Sequence, residues 1–222
     1  MPAAQRPLRR DAERNRRLIL ASAGALFAER GLAVSLDEIA RHAGVGVGTV
    51  YRRFSSREQL IDALFDERLA EIVALAEDAL ACEDPWLGFT RFIERALERQ
   101  AADKGLKELI LGTGEGRDRI TQFRSRMIPL ATDLVRRAQA SGSLRQDFSP
   151  RDIPLLQMML GAVVDAAEAI RPDLWRRYLA LTLDGMRADR PHQPLLVPAV
   201  DIEELECVMR SWRPPQRRPR DV

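Results

Sequence analysis

The stretch HAGVGVGTVYRRFSSREQL, from His42 to Leu60, decides how this sequence is interpreted. It places Gly44, Gly46 and Gly48 within five positions and follows them with two arginines. Glycines at this density either cradle a nucleotide phosphate or let a helix backbone approach another molecule closely. A dinucleotide fingerprint needs G-x-G-x-x-G between a strand and a helix, and a P-loop needs Gly-Lys-Ser/Thr. Neither pattern is present in the sequence, which disfavours a nucleotide site.

The residues around the glycines instead predict a helix-turn-helix. Ser35 and Glu38 have the spacing of a capping box, which predicts a short helix ending just before Gly44. Gly44 tolerates the positive φ of a tight turn, and the small Ala40 lets two helices cross closely. A second short helix is predicted at residues 47–54. Three apolar residues are expected to hold this pair against the preceding helix: Ile39, Val45 and Val50.

The remaining chain is predicted to be almost entirely helical, because apolar residues recur at helical spacing and no long run alternates between apolar and polar. The expected helices cover residues 11–30, 56–81, 85–102, 106–111, 115–141, 149–170, 172–189 and 201–212. The proline-rich residues 190–200 are expected to form an extended linker, and GTGEG at 112–116 a loop.

Charge divides the chain into a basic head and a mildly acidic body. Residues 1–57 contain 11 arginines and 5 acidic residues, a net charge of +6, whereas the remaining residues contain 24 basic and 28 acidic residues, a net charge of −4. This asymmetry indicates an anionic polymer bound by the head. We predict four segments: a flexible basic arm (1–12), a helix-turn-helix domain (13–58), a larger helical domain (59–212) and a disordered basic tail (213–222).

Residues 17–64 resemble the N-terminal DNA-binding domain of the TetR family of bacterial transcriptional regulators. The resemblance rests on Phe-x-x-x-Gly at the end of the first helix, on EIARHAGV, on GTVYRRF and on S-x-E-x-L. It implies an all-α protein with an N-terminal three-helix DNA-binding domain and a larger helical ligand-binding and dimerisation domain. Beyond residue 80 only the helical layout is similar.

The resemblance places the second short helix in the major groove of DNA. Thr49 and Tyr51 are then expected to bind phosphate oxygens, Arg52 a guanine edge and Val47 a thymine methyl group. Arg57, at the start of the next helix, is expected to bind a phosphate. The full set of expected DNA-binding residues is Ser35, Gly46, Val47, Gly48, Thr49, Tyr51, Arg52, Arg53 and Arg57.

Several of these residues have a second interpretation that the sequence leaves open. Ser35 is equally explained as a helix cap, and Arg53 as a solvated arginine. The arm at 1–12 and the arginines at 217, 218 and 220 either contact DNA or are basic segments without a partner.

The larger domain is expected to hold an effector pocket and a dimer interface. The pocket is predicted from large, adaptable side chains on the middle helices: Trp86, Phe89, Phe92, Ile110, Phe123, Met127, Gln157 and Met158. The interface is predicted from small residues interleaved with large ones on the last two long helices: Gly161, Ala162, Asp165, Ala169, Trp175, Tyr178 and Leu181. Either set is also explained by packing within one subunit.

The sequence therefore predicts a homodimeric regulator of transcription, most simply a repressor that leaves a palindromic DNA operator when a small hydrophobic or amphipathic effector binds. The alternatives are an activator, a DNA binder without an inducer, or a helical enzyme. Histidine catalysis is disfavoured because the chain has two histidines, His42 and His192, and no metal or cofactor motif is found. Two distant cysteines and the lack of an apolar run near 20 residues predict a cytoplasmic protein with reduced thiols.

Overall fold

The computed structural model of the chain describes residues 5–111 and 117–211, so the predicted GTGEG loop and the 213–222 tail lie outside the described residues. The described residues form ten helices: α1 Gln5–Arg30, α2 Leu36–Ala43, α3 Val47–Arg53, α4 Arg57–Leu80, α5 Pro85–Ala102, α6 Lys104–Leu111, α7 Arg117–Ala140, α8 Asp152–Ala167, α9 Leu174–Met186 and α10 Ile202–Ser211. The only β-type pairing among the described residues is one isolated bridge between Leu144 and Arg187. The predicted all-α fold is confirmed.

Helix α1 begins at Gln5, earlier than the expected start at Asp11. Residues 5–12, which were predicted to be part of a flexible arm, are therefore helical, and residues 1–4 lie outside the described range. The segment is rich in arginine and other good helix formers, and Pro7 falls in the first turn, where its missing N–H costs nothing.

Helices α1, α2 and α3 form the head that the helix-turn-helix pattern predicts. Gly44 ends α2 with a φ of 65°, and the amide of Val45 donates to the carbonyl of Ala40 at 3.1 Å, which closes the turn. Ala40, Ile39 and Val50 are fully buried. The apolar faces of α2 and α3 thus point into the head, and the opposite face of α3 is left at the surface.

Helix α4 connects the head to the body. Ser56 caps it by accepting a hydrogen bond from the amide of Gln59 at 3.1 Å, and Asp84 caps α5 in the same way from the amide of Leu87. In the body α4 packs against α5 and α7, and α5 packs against α8. The predicted domain boundary after residue 58 falls in the first turn of α4.

The last two long helices are shorter than predicted. Helix α8 starts at Asp152 because residues 149–151 form a turn in which the Asp152 carboxylate accepts from the amide of Ser149 at 2.7 Å. It ends at Ala167, and Pro172 lies in the turn that follows. Helix α9 then covers Leu174–Met186. Within the described ranges, none of the helices is both long and apolar enough to cross a membrane.

Candidate nucleic-acid interface

The start of α3 carries two glycines that the rest of the chain does not require. A Cβ built on Gly48 would meet nothing within 4 Å, and one on Gly46 would reach only the Thr49 hydroxyl at 4.0 Å. Both backbones have negative φ, unlike Gly44. Because neither packing nor conformation within the chain calls for glycine here, the bare backbone is free for close approach by an external molecule.

The exposed face of α3 combines apolar, hydroxyl and guanidinium groups. Val47 is 40% exposed and Tyr51 is 53% exposed, while Val50 on the opposite face is fully buried. Arg52 is exposed, and its Nη2 donates to the Thr49 hydroxyl at 3.2 Å. Most of the side chains predicted to contact DNA are thus brought together on one surface. Arg53 is also exposed, in the last turn of the helix.

Ser35 is engaged as a helix cap. Its hydroxyl accepts from the amide of Glu38 at 3.2 Å, and the Glu38 carboxylate accepts from the Ser35 amide at 2.9 Å. Arg30 pairs with the same carboxylate at 2.6 Å. These contacts, the Ser35 amide foremost, lower the pKa of Glu38 to about 2. The capping role of Ser35 is confirmed, and its contact with DNA stays a prediction.

Arg57 is turned towards the protein rather than outwards. Its Nη1 donates to the carbonyl oxygen of Val34, and its guanidinium lies 5.6 Å from the centre of the Phe27 ring. The side chain is half-buried between α4 and the α1–α2 turn. Binding of a phosphate by Arg57 stays a prediction.

The predicted pocket residues form the core of the body more than the wall of a cavity. Phe89, Phe92 and Ile110 are buried, and Phe89 packs edge-on against Phe148 with ring centres 5.8 Å apart. The half-buried members of the set pack around this core: Trp86, Phe123, Met127 and Met158. Gln157, on α8, is also buried. A core and a pocket wall need the same kinds of side chain, so the pocket assignment stays a prediction.

Two of the hollows on the described part of the body bear on the predicted pocket and interface. One, of about 100 Å³, lies between α4 and α7, and of the predicted pocket set only Phe123 lines it. The other, of about 380 Å³, lies on the outer side of the α8–α9 pair. Its lining is Ala162, Val163, Ala166, Ala167, Ile170, Arg171, Leu174 and Tyr178.

The residues predicted for the dimer interface divide between two faces. Ala162, Tyr178 and Leu181 are exposed on the outer side of α8 and α9, and Ala169 is exposed in the turn between these helices. The other three members make contacts within the chain. Trp175 is buried, and Asp165 pairs with Lys107. A Cβ built on Gly161 would lie 3.6 Å from the Cδ of Lys107. Small size on a helix indicates close approach but does not distinguish a neighbouring helix from a partner chain.

Contacts made by α6 were not anticipated. Glu108 accepts from the amide of Leu32 in the α1–α2 turn at 2.7 Å, and Lys104 pairs with Glu168 at 2.7 Å. A signal was present, because Lys104 and Lys107 are the only lysines in the sequence. In the described part of the chain no three His, Cys, Asp or Glu side chains are grouped to hold a metal ion.

Two family models match parts of this chain. Residues 19–64 match the family model for bacterial regulatory proteins of the tetR family, and residues 84–188 match that for the C-terminal domain of SbtR-like transcriptional regulators. These two segments correspond to the head with the start of α4, and to the body from α5 to the end of α9.

Individual relatives agree. The HTH-type transcriptional regulator SAR0097 of Staphylococcus aureus is 38% identical over 89 residues, which span 39% of this chain and 46% of that protein. The chain thus matches about half the length of this curated relative.

Two solved structures match this chain over nearly their whole length. The TetR regulatory protein from Mycobacterium vanbaalenii is 33% identical, with 82% of this chain and 99% of that chain covered and a TM-score of 0.52. The regulator SCO0520 from Streptomyces coelicolor is 28% identical, with 79% and 99% covered and the same TM-score. The relatives are regulators of transcription, which confirms the prediction that the protein is not an enzyme. The chain belongs to the TetR family of DNA-binding transcriptional regulators.

Proposed function

We propose that this regulator is a homodimeric repressor that binds a palindromic operator through α3 and leaves it when a small hydrophobic or amphipathic effector binds to the body. The observation that carries the proposal is the surface of α3, where two glycines without an internal role adjoin exposed Val47, Tyr51 and Arg52. A bare backbone beside hydroxyl and guanidinium groups suits a helix that lies deep in the major groove.

The α3 side chains have distinct roles in this proposal. Thr49 and Tyr51 bind phosphate oxygens and fix the register of the head on DNA. Arg52 donates to the O6 and N7 atoms of a guanine, and Val47 contacts a thymine methyl group. The hydrogen bond from Arg52 to Thr49 already directs the guanidinium along α3.

The dimer is proposed to form through the outer face of α8 and α9. Large apolar side chains are exposed beside the apolar hollow of about 380 Å³, with Leu181 on α9 at 58% and Ile170 in the α8–α9 turn at 88% exposed. Burying such a patch against a second copy is favourable, and a two-fold axis makes the same patch serve both subunits. The symmetry then presents two α3 helices to two half-sites about one DNA turn apart.

The effector is proposed to enter between α4 and α7, where Phe123 and Val73 provide apolar surface and Gln122 and Arg126 provide polar groups. The hollow of about 100 Å³ is smaller than the roughly 300 Å³ or more that a small-molecule site occupies. Binding therefore requires α7 to move relative to α4, the helix that carries the head. This coupling is how an effector would change the separation of the two heads.

Selection of bound duplexes from random DNA tests the proposal. The expected result is an enriched two-fold symmetric motif, bound by two chains per duplex when the mass of the complex is measured. Enrichment of an asymmetric motif, or of none, would contradict it.

Titration of small apolar acids and aromatic compounds into the complex tests the effector. Release of the DNA supports an inducible repressor, whereas tighter binding, or no response across the compounds, favours the activator or the constitutive binder.

A further inference from the structure

Helix α6, Lys104–Leu111, lies in direct contact with the head. At Gly105 the approach is so close that a Cβ would lie 2.9 Å from the Phe27 Cβ and 3.0 Å from the Phe65 ring. Such distances are below ordinary van der Waals contact, so glycine is required for α6 to pack against α1 and α4 in this way. The position of α6 and that of α1 are therefore linked sterically.

Glu108 extends this contact to the turn between α1 and α2. Its Oε2 accepts from the amide of Leu32 at 2.7 Å. Gly31 adopts a φ of 76°, and a Cβ there would collide with the Glu108 carboxylate. The turn is thus shaped around the carboxylate, and it leads within three residues to Ser35, the cap of α2.

The other side of α6 is attached to α8. Lys107 is buried and pairs with Asp165, and Lys104 pairs with Glu168 at 2.7 Å. One turn of α6 therefore carries contacts to both the head and the proposed dimer helices.

We propose that Glu108 is a positioning residue for DNA binding: it holds the α1–α2 turn, and with it α3, at a fixed angle to α8. In a dimer this angle determines the distance between the two α3 helices. Glu108 therefore determines which half-site separation the protein accepts. The inference rests on the proposed binding of a palindromic operator by a dimer.

The test uses the palindrome selected by the wild-type protein and two versions with one base pair inserted or deleted between the half-sites. Wild type is expected to bind the altered duplexes more weakly than the selected one. Glu108→Ala leaves the Leu32 amide without its acceptor, and we expect it to lose about tenfold of this discrimination. Glu108→Gln keeps a carbonyl acceptor and is expected to restore it. Glu67→Ala, at an exposed position on α4, removes the same charge and serves as the matched control.

Melting temperature and mass in solution are measured for every variant, because a role confined to stability would shift these without changing preference for the spacing. Discrimination that is unchanged in a folded, dimeric Glu108→Ala protein would overturn the inference. If that variant does not fold, Lys107→Met tests the contact between α6 and α8, with the same expected loss and the same contrary result. Failure of the wild-type protein to select any palindrome would instead refute the proposed function.

Discussion

The glycines of α3 separate the needs of the fold from those of DNA binding. Gly44 has a positive φ and is required by the turn, whereas Gly46 and Gly48 have no such conformation and no close neighbour for a Cβ. The sequence already predicts the turn at Gly44. The structure adds that the surroundings of Gly46 and Gly48 give the chain itself no steric need for glycine at these two positions.

Gly48→Ala provides a direct test of this distinction. An alanine in α3 is expected to leave the free energy of unfolding unchanged or to raise it by up to about 1 kcal/mol, because alanine favours a helix more than glycine does. Operator affinity is expected to fall, because the new methyl group lies on the face that approaches DNA. Urea unfolding and fluorescence anisotropy measure the two effects. A variant that is destabilised and binds normally would reverse the assignment.

Arg52 and Arg53 are expected to respond differently to truncation. Arg52→Ala should cost about 1–3 kcal/mol of binding free energy and relax the preference at one base pair, as expected for a guanine contact. Arg53→Ala should weaken binding equally on all sequences and reduce the salt slope by about 1 if it binds a phosphate. Anisotropy titrations on singly substituted duplexes compare them. Loss of base preference in the Arg53 variant alone would contradict these roles.

At the scale of the helices, the sequence predicted helix ends well where a capping residue or a glycine defines the end. Ser35, Gly44, Asp84 and Gly142 end or begin helices as their residue types indicate. The predicted start of α8 was wrong because Ser149 and Pro150 form a turn before the helix, and its predicted end was wrong because residues 168–170 form a turn after it. Contacts between distant segments, such as Arg57 with Val34, could not be predicted because no local pattern encodes which side chain meets which backbone group.

The capping box of α2 should make stability depend on acid pH. The pKa of Glu38 is about 2 in the folded protein, below its usual 4.5. Its stabilising effect is therefore complete above pH 4.5 and is lost as the pH falls towards 2. We expect the difference in unfolding free energy between wild type and Glu38→Gln to shrink over this range. A difference that stays constant between pH 6 and pH 3 in urea unfolding would be contrary evidence.

A charged side chain introduced on the outer face of α8 and α9 is expected to prevent dimer formation. Leu181→Arg is expected to dissociate the dimer, because an unpaired guanidinium would be buried between subunits. Ile128→Arg on α7, at a side chain of similar exposure, is the matched control and should remain dimeric. Sedimentation velocity gives the mass of each protein. A dimeric Leu181→Arg protein would place the interface elsewhere.

For the molecule as a whole, the charge asymmetry and the α3 surface point to the same partner. The net charge of +6 on residues 1–57 favours a polyanion, while the mildly acidic body does not. The family and the all-helical architecture were predictable because the head carries specific motifs. The predicted effector site stays a prediction, because the body has no such motif and its apolar residues serve mainly as core.

The most direct test of the central claim is the operator affinity of the wild-type protein between 50 and 200 mM salt, compared with a scrambled duplex. We predict a steep fall in affinity, with a slope of about −0.9 for each phosphate contacted. The selected palindrome should remain at least about a thousandfold tighter than the scrambled duplex. An affinity that barely changes with salt, or that is equal for both duplexes, would contradict the account of α3 as a helix that grips phosphates and reads bases.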